Sequence, residues 1–292
     1  MTFSILACDS RSNELGAAVA SFAFGVGPAA LWARPGAGIV LTQMMPEPNY
    51  GVVGLDRMQA GEAASAVLVS MLATDPAAAQ RQLAMVDARG RVAGYTGAQC
   101  VAYAGHRFER GISAQGAMLV SGGIWDGMYE AFAGAEGTLS ERLISALEKG
   151  RSLGGDIRGH RSAALVVVRA EASERPWRDR IVDLRIDDHA DPVAELRRLL
   201  SLQQLYASSN NAFEAALSGD MAGALCEFAR LERTAPKDPD VALRHGILLA
   251  LSGDAANARQ RFEVCYHVAH RWQEVVRRLA LAGFIPEQAP PT

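Results

Sequence analysis

Apolar and polar positions along the chain fall into two regions of different rhythm. Up to about residue 190 they read as mixed strand and helix, and beyond it as helix only. Near the start, TFSILA and GAAVASFAF are strand-like runs. They are bridged by CDSRSNEL, whose Asp, Ser and Asn favour turns because their short polar side chains bond the local backbone. GIVLTQ at 38–43 is a third strand. Residues 53–74 carry Ala, Met and Leu at helical spacing, broken at Gly61 and ending before Asp75-Pro76. QLAMVD (82–87), the turn Ala88-Arg89-Gly90 and RVAGYTG (91–97) form a hairpin. Helices are expected over 124–134 and 138–150, and β-rich runs over 162–170 and 180–187. Residues 47–54 and Gly122-Gly123 read as loops shaped for more than connection. Strands, a helical block and then more strands predict sheets covered by helices, not a simple βα alternation.

The helical remainder holds one internal repeat. Leu217-Ser218-Gly219-Asp220 recurs as Leu251-Ser252-Gly253-Asp254, with Ala224 matched by Ala258 and Phe228 by Phe262. The offset of 34 residues is the period of tetratricopeptide helix pairs. Each Gly-Asp is expected to end one helix and start the next, with Gly as C-terminal cap and Asp favouring the following N-terminus. APKDPD at 235–240 supplies the break between repeats. The domain reading is therefore a mixed domain over 1–192 and a tetratricopeptide-like helical domain over 193–292. About two repeats are visible where a free-standing array usually needs three. The block is thus expected to support assembly, as a homo-oligomer or with a protein partner, and not catalysis.

Composition narrows the function classes. Of 292 residues, 49% are hydrophobic and 21% charged, a balance with enough apolar material for a core. A net charge of −3 supplies no basic field for nucleic acid or anionic lipid. Four cysteines, at 8, 100, 226 and 265, show none of the short pairings of a disulfide scaffold or a zinc site. Cys265, His267 and His270 lie close together, but metal binding there would need a fourth ligand. No apolar run reaches the ~20 residues that span a bilayer, and no secretory signal opens the chain. The expectation is a cytoplasmic protein with no membrane or nucleic-acid partner, no metal and no cofactor.

The second residue carries the candidate chemistry. Once Met1 is removed, Thr2 would offer a hydroxyl nucleophile and an α-amine titrating near ~8, so one residue supplies both nucleophile and base. By itself Met-Thr is also an ordinary start to an edge strand. The blocks that follow change the weight: GAAVAS at 16–21, WARPGAGIVLTQ at 32–43, PNYG at 48–51, VDARGRVAGYTGAQC at 86–100, SAQG at 113–116, GGDIRGHRSAALVVVR at 154–169 and DLRIDDHADPVAELRRLL at 183–200. In this order they resemble a widespread bacterial family of unknown function placed in the N-terminal nucleophile hydrolase superfamily. The resemblance runs from residue 2 to about 200.

That resemblance implies an α+β fold, a four-layer α-β-β-α sandwich, with Thr2 at the sheet edge as nucleophile. The reaction would be hydrolysis of a small amide or peptide-like C–N bond through an acyl-enzyme. An oxyanion hole would assist, commonly at ~3–4 kcal/mol per donor. Ser21, at the end of the second strand, is a candidate to orient the terminal amine. Thr42 and Gln43 end a strand, where an amide would suit a substrate carbonyl. Asn49 and Tyr50 are candidates to line a cleft, and Gln115 to contribute to the site. Asp156 is placed to hold the ammonium or a substrate amine, against the rival reading of a turn aspartate bonded to its own backbone. Arg158 and Arg161 are candidates for a carboxylate. Three positions depart from the family pattern: Phe22 where a basic residue often stands, Ala117 where Asn does, and Arg161 where Gln does. They leave an alternative open, a catalytically degenerate fold that serves as a binding or scaffold protein.

Overall fold

The computed structural model describes residues 2–109, 111–286 and 289. The chain divides into two compact units, Met1–Leu200 and Ser201–Thr292. Among the described residues it is a mixed α+β protein with two antiparallel sheets and ten helices.

The first sheet has six strands: β1 (Thr2–Asp9), β2 (Glu14–Ser21), β7 (Gly105–Glu109), β8 (Ile112–Ala117), β9 (Ser162–Arg169) and β10 (Arg180–Ile186). Their spatial order is β10-β9-β2-β1-β8-β7, which puts β1 near the middle. The second sheet is β3 (Leu31–Arg34), β4 (Gly38–Met44), β5 (Arg81–Asp87) and β6 (Val92–Thr96), in sequence order. A short helix, α1 (Val26–Ala30), links β2 to β3.

Period-two alternation gives each sheet two apolar faces, because successive side chains point to opposite sides. Phe3, Ile5, Ala18, Ala20, Leu165 and Val167 pack against α4 (Ile124–Gly134), α5 (Leu139–Ser152) and the first turns of α6 (Pro192–Leu217). The opposite face of the six-stranded sheet, with Leu6, Leu15, Val19 and Val166, meets Ile39, Leu41, Ala84 and Val86 of the other sheet. Val40, Leu83 and Met85 then face Tyr50, Leu55 and Met58 of α2 (Pro48–Gln59) and Val67 and Leu68 of α3 (Ala64–Leu72). Each fully buried large side chain contributes ~1.5–3 kcal/mol, so the middle layer fixes the sheets against one another and the outer two fix the helices on them.

The strands over 2–9, 14–21, 38–44, 81–87, 92–96, 162–169 and 180–186 match the periodic reading closely, as do α4 and α5. The loop expected over 47–54 does not exist as such: Pro48–Gln59 is one helix. Glu47 caps it by accepting from the Asn49 N–H, and Pro48 sits in the first turn, where its missing N–H costs nothing. Gly51 lies in this helix directly against the Trp32 ring, where a side chain would collide. Gly122-Gly123 lead into α4, with Gly123 as its N-cap at φ 83°.

In the second unit, α6 ends at Leu217 and is followed by α7 (Met221–Thr234), α8 (Pro239–Leu251), α9 (Ala255–Val268) and α10 (Arg271–Leu281). The two Gly-Asp pairs act as the repeat predicts. Gly219 and Gly253 adopt positive φ, 109° and 92°, past the ends of α6 and α8. Asp220 and Asp254 then cap α7 and α9 by accepting from the N–H groups of Gly223 and Asn257. Phe228 and Phe262, the repeated aromatics, are both fully buried. No helix among the described residues is long and apolar enough to cross a membrane.

Candidate functional site

Alternation along β1 sends Phe3 and Ile5 to the helix layer and Thr2, Ser4 and Leu6 to the face between the sheets. Register then builds a row across the end of the six-stranded sheet. Thr2 lies opposite Ser21 of β2 on one side and Ala117 of β8 on the other, and Ser21 in turn lies opposite Ser162 of β9. The Thr2 Oγ1 donates to Ser21 Oγ at 3.1 Å, and the pair is buried. Ser21 Oγ also accepts from the Ala23 N–H at 3.1 Å, which fixes it in place. Ser162 donates to the Ala23 carbonyl and accepts from the Val26 N–H, so it secures the turn after β2.

One step further into the protein, apolar packing between the sheets gives way to a connected polar layer. Ser4 Oγ donates to Gln43 Oε1 at 2.7 Å and accepts from Gln115 Nε2 at 2.7 Å. Ser113 donates to Gln115 Oε1. Gln43 Nε2 reaches the Thr2 carbonyl at 3.3 Å and Gln82 Oε1 at 2.6 Å. Gln82 Nε2 is shared among Thr96 Oγ1, the Gly105 carbonyl and the Gly116 carbonyl. Thr96 is bonded to His106 Nδ1 at 2.7 Å, and burial holds that imidazole below its ordinary pKa. Buried polar groups persist only when satisfied, and this layer is satisfied by mutual bonding. Gln43 and Gln115 therefore belong to the floor beneath Thr2. Their amides are engaged inside the protein, not turned to a substrate carbonyl.

The segment 154–161 closes the other side. The Asp156 carboxylate is wholly buried and accepts from the Phe22 N–H at 3.2 Å, the Arg158 N–H at 3.0 Å and the Arg158 guanidinium at 2.8 Å. Burial by itself would raise this carboxyl, yet the Arg158 and backbone bonds outweigh it and hold the group below the usual carboxylate range. The turn reading and the site reading thus both describe Asp156: it braces its own loop and ties that loop to the residue after Ser21. Arg158 lies 5.2 Å over the Phe22 ring. His160 stacks edge-on against Phe3 at 5.4 Å, and its Nε2 is buried without a hydrogen-bond partner among the described residues. Burial, more than the opposing pull of Asp156, lowers its pKa.

Two strand ends here leave the usual backbone regions. Met118, just after Ala117, has φ 53°, and Met44, just after Gln43, has φ 70°. Left-handed backbone at a residue with a side chain costs ~1 kcal/mol or more and persists where the surroundings impose it. Both residues turn the chain sharply away at the level of Thr2.

Other sequence candidates lie elsewhere. Thr42 points to the helix side of β4 and accepts from the Glu47 N–H, so it anchors the entry to α2. Tyr50 is buried and donates to Asp75, and burial with that bond raises its pKa strongly. With Asn49, Glu47, Arg57, Ser70 and Asp75 it lines a separate cavity of about 750 Å³ beside α2 and α3. Arg161 pairs with Asp188 at the surface, while its N–H donates to the Ser21 carbonyl. Cys265 is buried, its thiol pushed up to about 12 chiefly by burial, and His267 bonds the Glu263 carbonyl. Among the described residues no three His, Cys, Asp or Glu side chains are grouped to hold a metal ion.

Sequence reasoning missed Ser4, Gln82, Ser113, Thr96, His106 and His160. The available signal was polar residues recurring every second position within apolar strands, as in TFSIL and ISAQGA.

Comparison with known proteins follows the same boundaries. A solved structure of the same family, the protein SPO2555 from Silicibacter pomeroyi, is 29% identical, with a TM-score of 0.61 over 68% of this chain and 88% of that one. No curated protein matches the chain. The model of a family of unknown function, DUF1028, matches residues 2–196, the whole stretch that builds the Thr2 row, its polar floor and the Asp156 loop. The chain belongs to the DUF1028 family.

Proposed function

We propose that the protein is an N-terminal threonine amidohydrolase that cleaves a small amide or peptide-like C–N bond. The observation that carries this is Thr2 itself. Its hydroxyl sits at the end of a central strand, on the face between the two sheets, bonded to a serine that the Ala23 N–H also holds. Helix, sheet, sheet and helix layers around it are the arrangement expected of an N-terminal nucleophile hydrolase, and they support that superfamily reading.

In the proposed reaction, removal of Met1 frees the Thr2 α-amine. The neutral amine takes the hydroxyl proton, directly or through one water, as Oγ1 attacks the amide carbon. The collapsing intermediate expels the amine, which leaves with that proton, and an ester to Thr2 remains. Water, activated by the same α-amine, then hydrolyses the ester. Ser21 orients the Thr2 hydroxyl, Gln43 holds the Thr2 carbonyl, and Asp156 sets the loop that flanks them.

One observation favours the second reading, a binding or scaffold protein. Ala117, directly opposite Thr2, supplies no side-chain donor, and the nearby amides of Gln43 and Gln115 are engaged. In that reading the helical unit, taken from residue 193 as tetratricopeptide-like, recruits a protein partner or a second copy. Its 34-residue repeat of Gly-Asp caps supports this role.

Intact mass of the purified chain separates the two. The hydrolase reading expects loss of Met1 and capture of a threonine-directed electrophile at Thr2, abolished in Thr2→Ala and kept in Thr2→Ser. Quantitative retention of Met1 would leave only the binding reading.

A further inference from the structure

We infer that the site selects an uncharged amide whose acyl group is a sizeable hydrocarbon chain or ring. This inference rests on the Thr2 hydrolase reading and adds the substrate class to it.

Five large apolar side chains stand exposed around the end of β1: Phe22 (41%), Val101 (42%), Tyr103 (54%), Val120 (47%) and Ile157 (60%). Single exposed apolar residues are ordinary, and Trp177 or Val69 are such cases here. These five differ because backbone bonds tie their segments into one rim. Met118, next to Thr2's partner Ala117, donates its N–H to the Val101 carbonyl at 2.8 Å and accepts from the Ile157 N–H at 3.1 Å. Leu119 donates to the Tyr103 carbonyl, and Val120 to the Gly155 carbonyl. Phe22, next to Thr2's other partner Ser21, is tied to the same loop through Asp156. Four separate stretches of chain that carry exposed apolar residues are thus bonded to one another next to the end of the strand that begins with Thr2. Exposed apolar residues grouped near a few converging polar groups are a usual feature of a small-molecule site.

Charge at the rim is balanced internally. Arg158 lies within it and is bonded to the buried Asp156 beneath, which compensates its charge. A neutral acyl group fits this surface without displacing that pair. A charged one would have to compete for Arg158 against a buried partner already bonded twice over. The four-stretch construction around a candidate nucleophile also favours a small ligand over a protein, which would ask for a broader and flatter face.

The test compares two anilides of one amine, N-hexanoyl- and N-acetyl-4-nitroaniline. Equilibrium binding is measured by calorimetry to the full chain and to Thr2→Ala, and nitroaniline release is measured separately. Partial burial of four extra methylenes predicts roughly 10- to 100-fold tighter binding of the hexanoyl compound. Ile157→Ser and Val120→Ser, both at exposed positions, are expected to lose most of that preference with unchanged thermal melts, while Trp177→Ser keeps it. Equal binding of the two compounds, binding of neither, or a preference that survives both serine variants overturns the inference. Preference without nitroaniline release counts against the amidohydrolase reading alone. Release without preference counts against this inference alone.

Discussion

Substitution of Gln82 by Leu tests whether the polar layer under Thr2 is a structural requirement. Gln82 is fully buried between the sheets, and Leu has nearly its volume, so packing changes little. What changes is bonding. Gln43 Nε2 loses its 2.6 Å acceptor, and Thr96 Oγ1 and the carbonyls of Gly105 and Gly116 lose a shared donor. Thr96 and Gly105 are half-buried and can turn to water, whereas Gln43 and Gly116 are buried. One Gln43 N–H and the Gly116 carbonyl each lose a buried partner, at ~1–3 kcal/mol each, although Gln43 Nε2 keeps its bond to the Thr2 carbonyl. The extra apolar burial of Leu offsets part of that. A net loss of about 2–4 kcal/mol follows, which corresponds to a roughly 30- to 700-fold rise in local opening. Amide hydrogen exchange of the peptide spanning β5, read by mass spectrometry, measures that opening in the full chain. Gln80→Leu is the control, because Gln80 bonds Gln99 at the surface and its loss should stay within about 0.5 kcal/mol. Equal protection in the two variants would refute the claim that mutual bonding holds this layer together.

Two further outcomes follow from the same structure. Gly51→Ala should destabilise the first unit by ~1–3 kcal/mol despite the better helix propensity of Ala, because the new methyl collides with the Trp32 ring; a thermal melt no lower than that of the unaltered chain would contradict this packing. Stability should fall in two acid steps, seen as unfolding free energy across a pH series. His160 has a lowered pKa when folded, so its contribution declines as pH falls through the unfolded histidine value near ~6.5; Asp156 is also depressed, so its contribution is present above ~3.9 and lost as pH falls through its folded value. His106, also held low by burial, shares the upper step, so His160→Gln should shrink that step and leave the lower one, and an upper step of unchanged size would show that His160 is not involved.

Much of this arrangement is legible in the sequence because β-strands alternate. TFSIL places Thr2 and Ser4 on one face and Phe3 and Ile5 on the other without any knowledge of the fold. The alternation does not say which strand lies next door. Ser4 meets Gln115, distant in the chain, only through the pairing of β1 with β8, and Gln43 meets Gln82 through the pairing of β4 with β5. This is why Gln43 read as a substrate ligand, although its partners are within the protein. The helix at Pro48–Gln59 was hidden for a different reason. Pro48, Asn49 and Gly51 are loop formers by composition, but Pro suits a first turn and Gly51 is required by Trp32, a contact no local pattern records.

The three departures from the family pattern also change meaning once they are placed in space. A basic residue is expected where Phe22 stands, and in the folded chain the Arg158 guanidinium lies over the Phe22 ring. Positive charge therefore remains at that corner, supplied from another loop and balanced by Asp156. Arg161 is turned outward to Asp188, so its side chain does not define the Thr2 face. Only Ala117 removes a polar group from the face itself, directly across from the candidate nucleophile. Met118, beside Ala117, is held at positive φ and is bonded through its backbone to Val101 and Ile157. On the proposed hydrolase reading, an alanine at this position makes the face beside Thr2 less polar, which bears on the substrate it would accept.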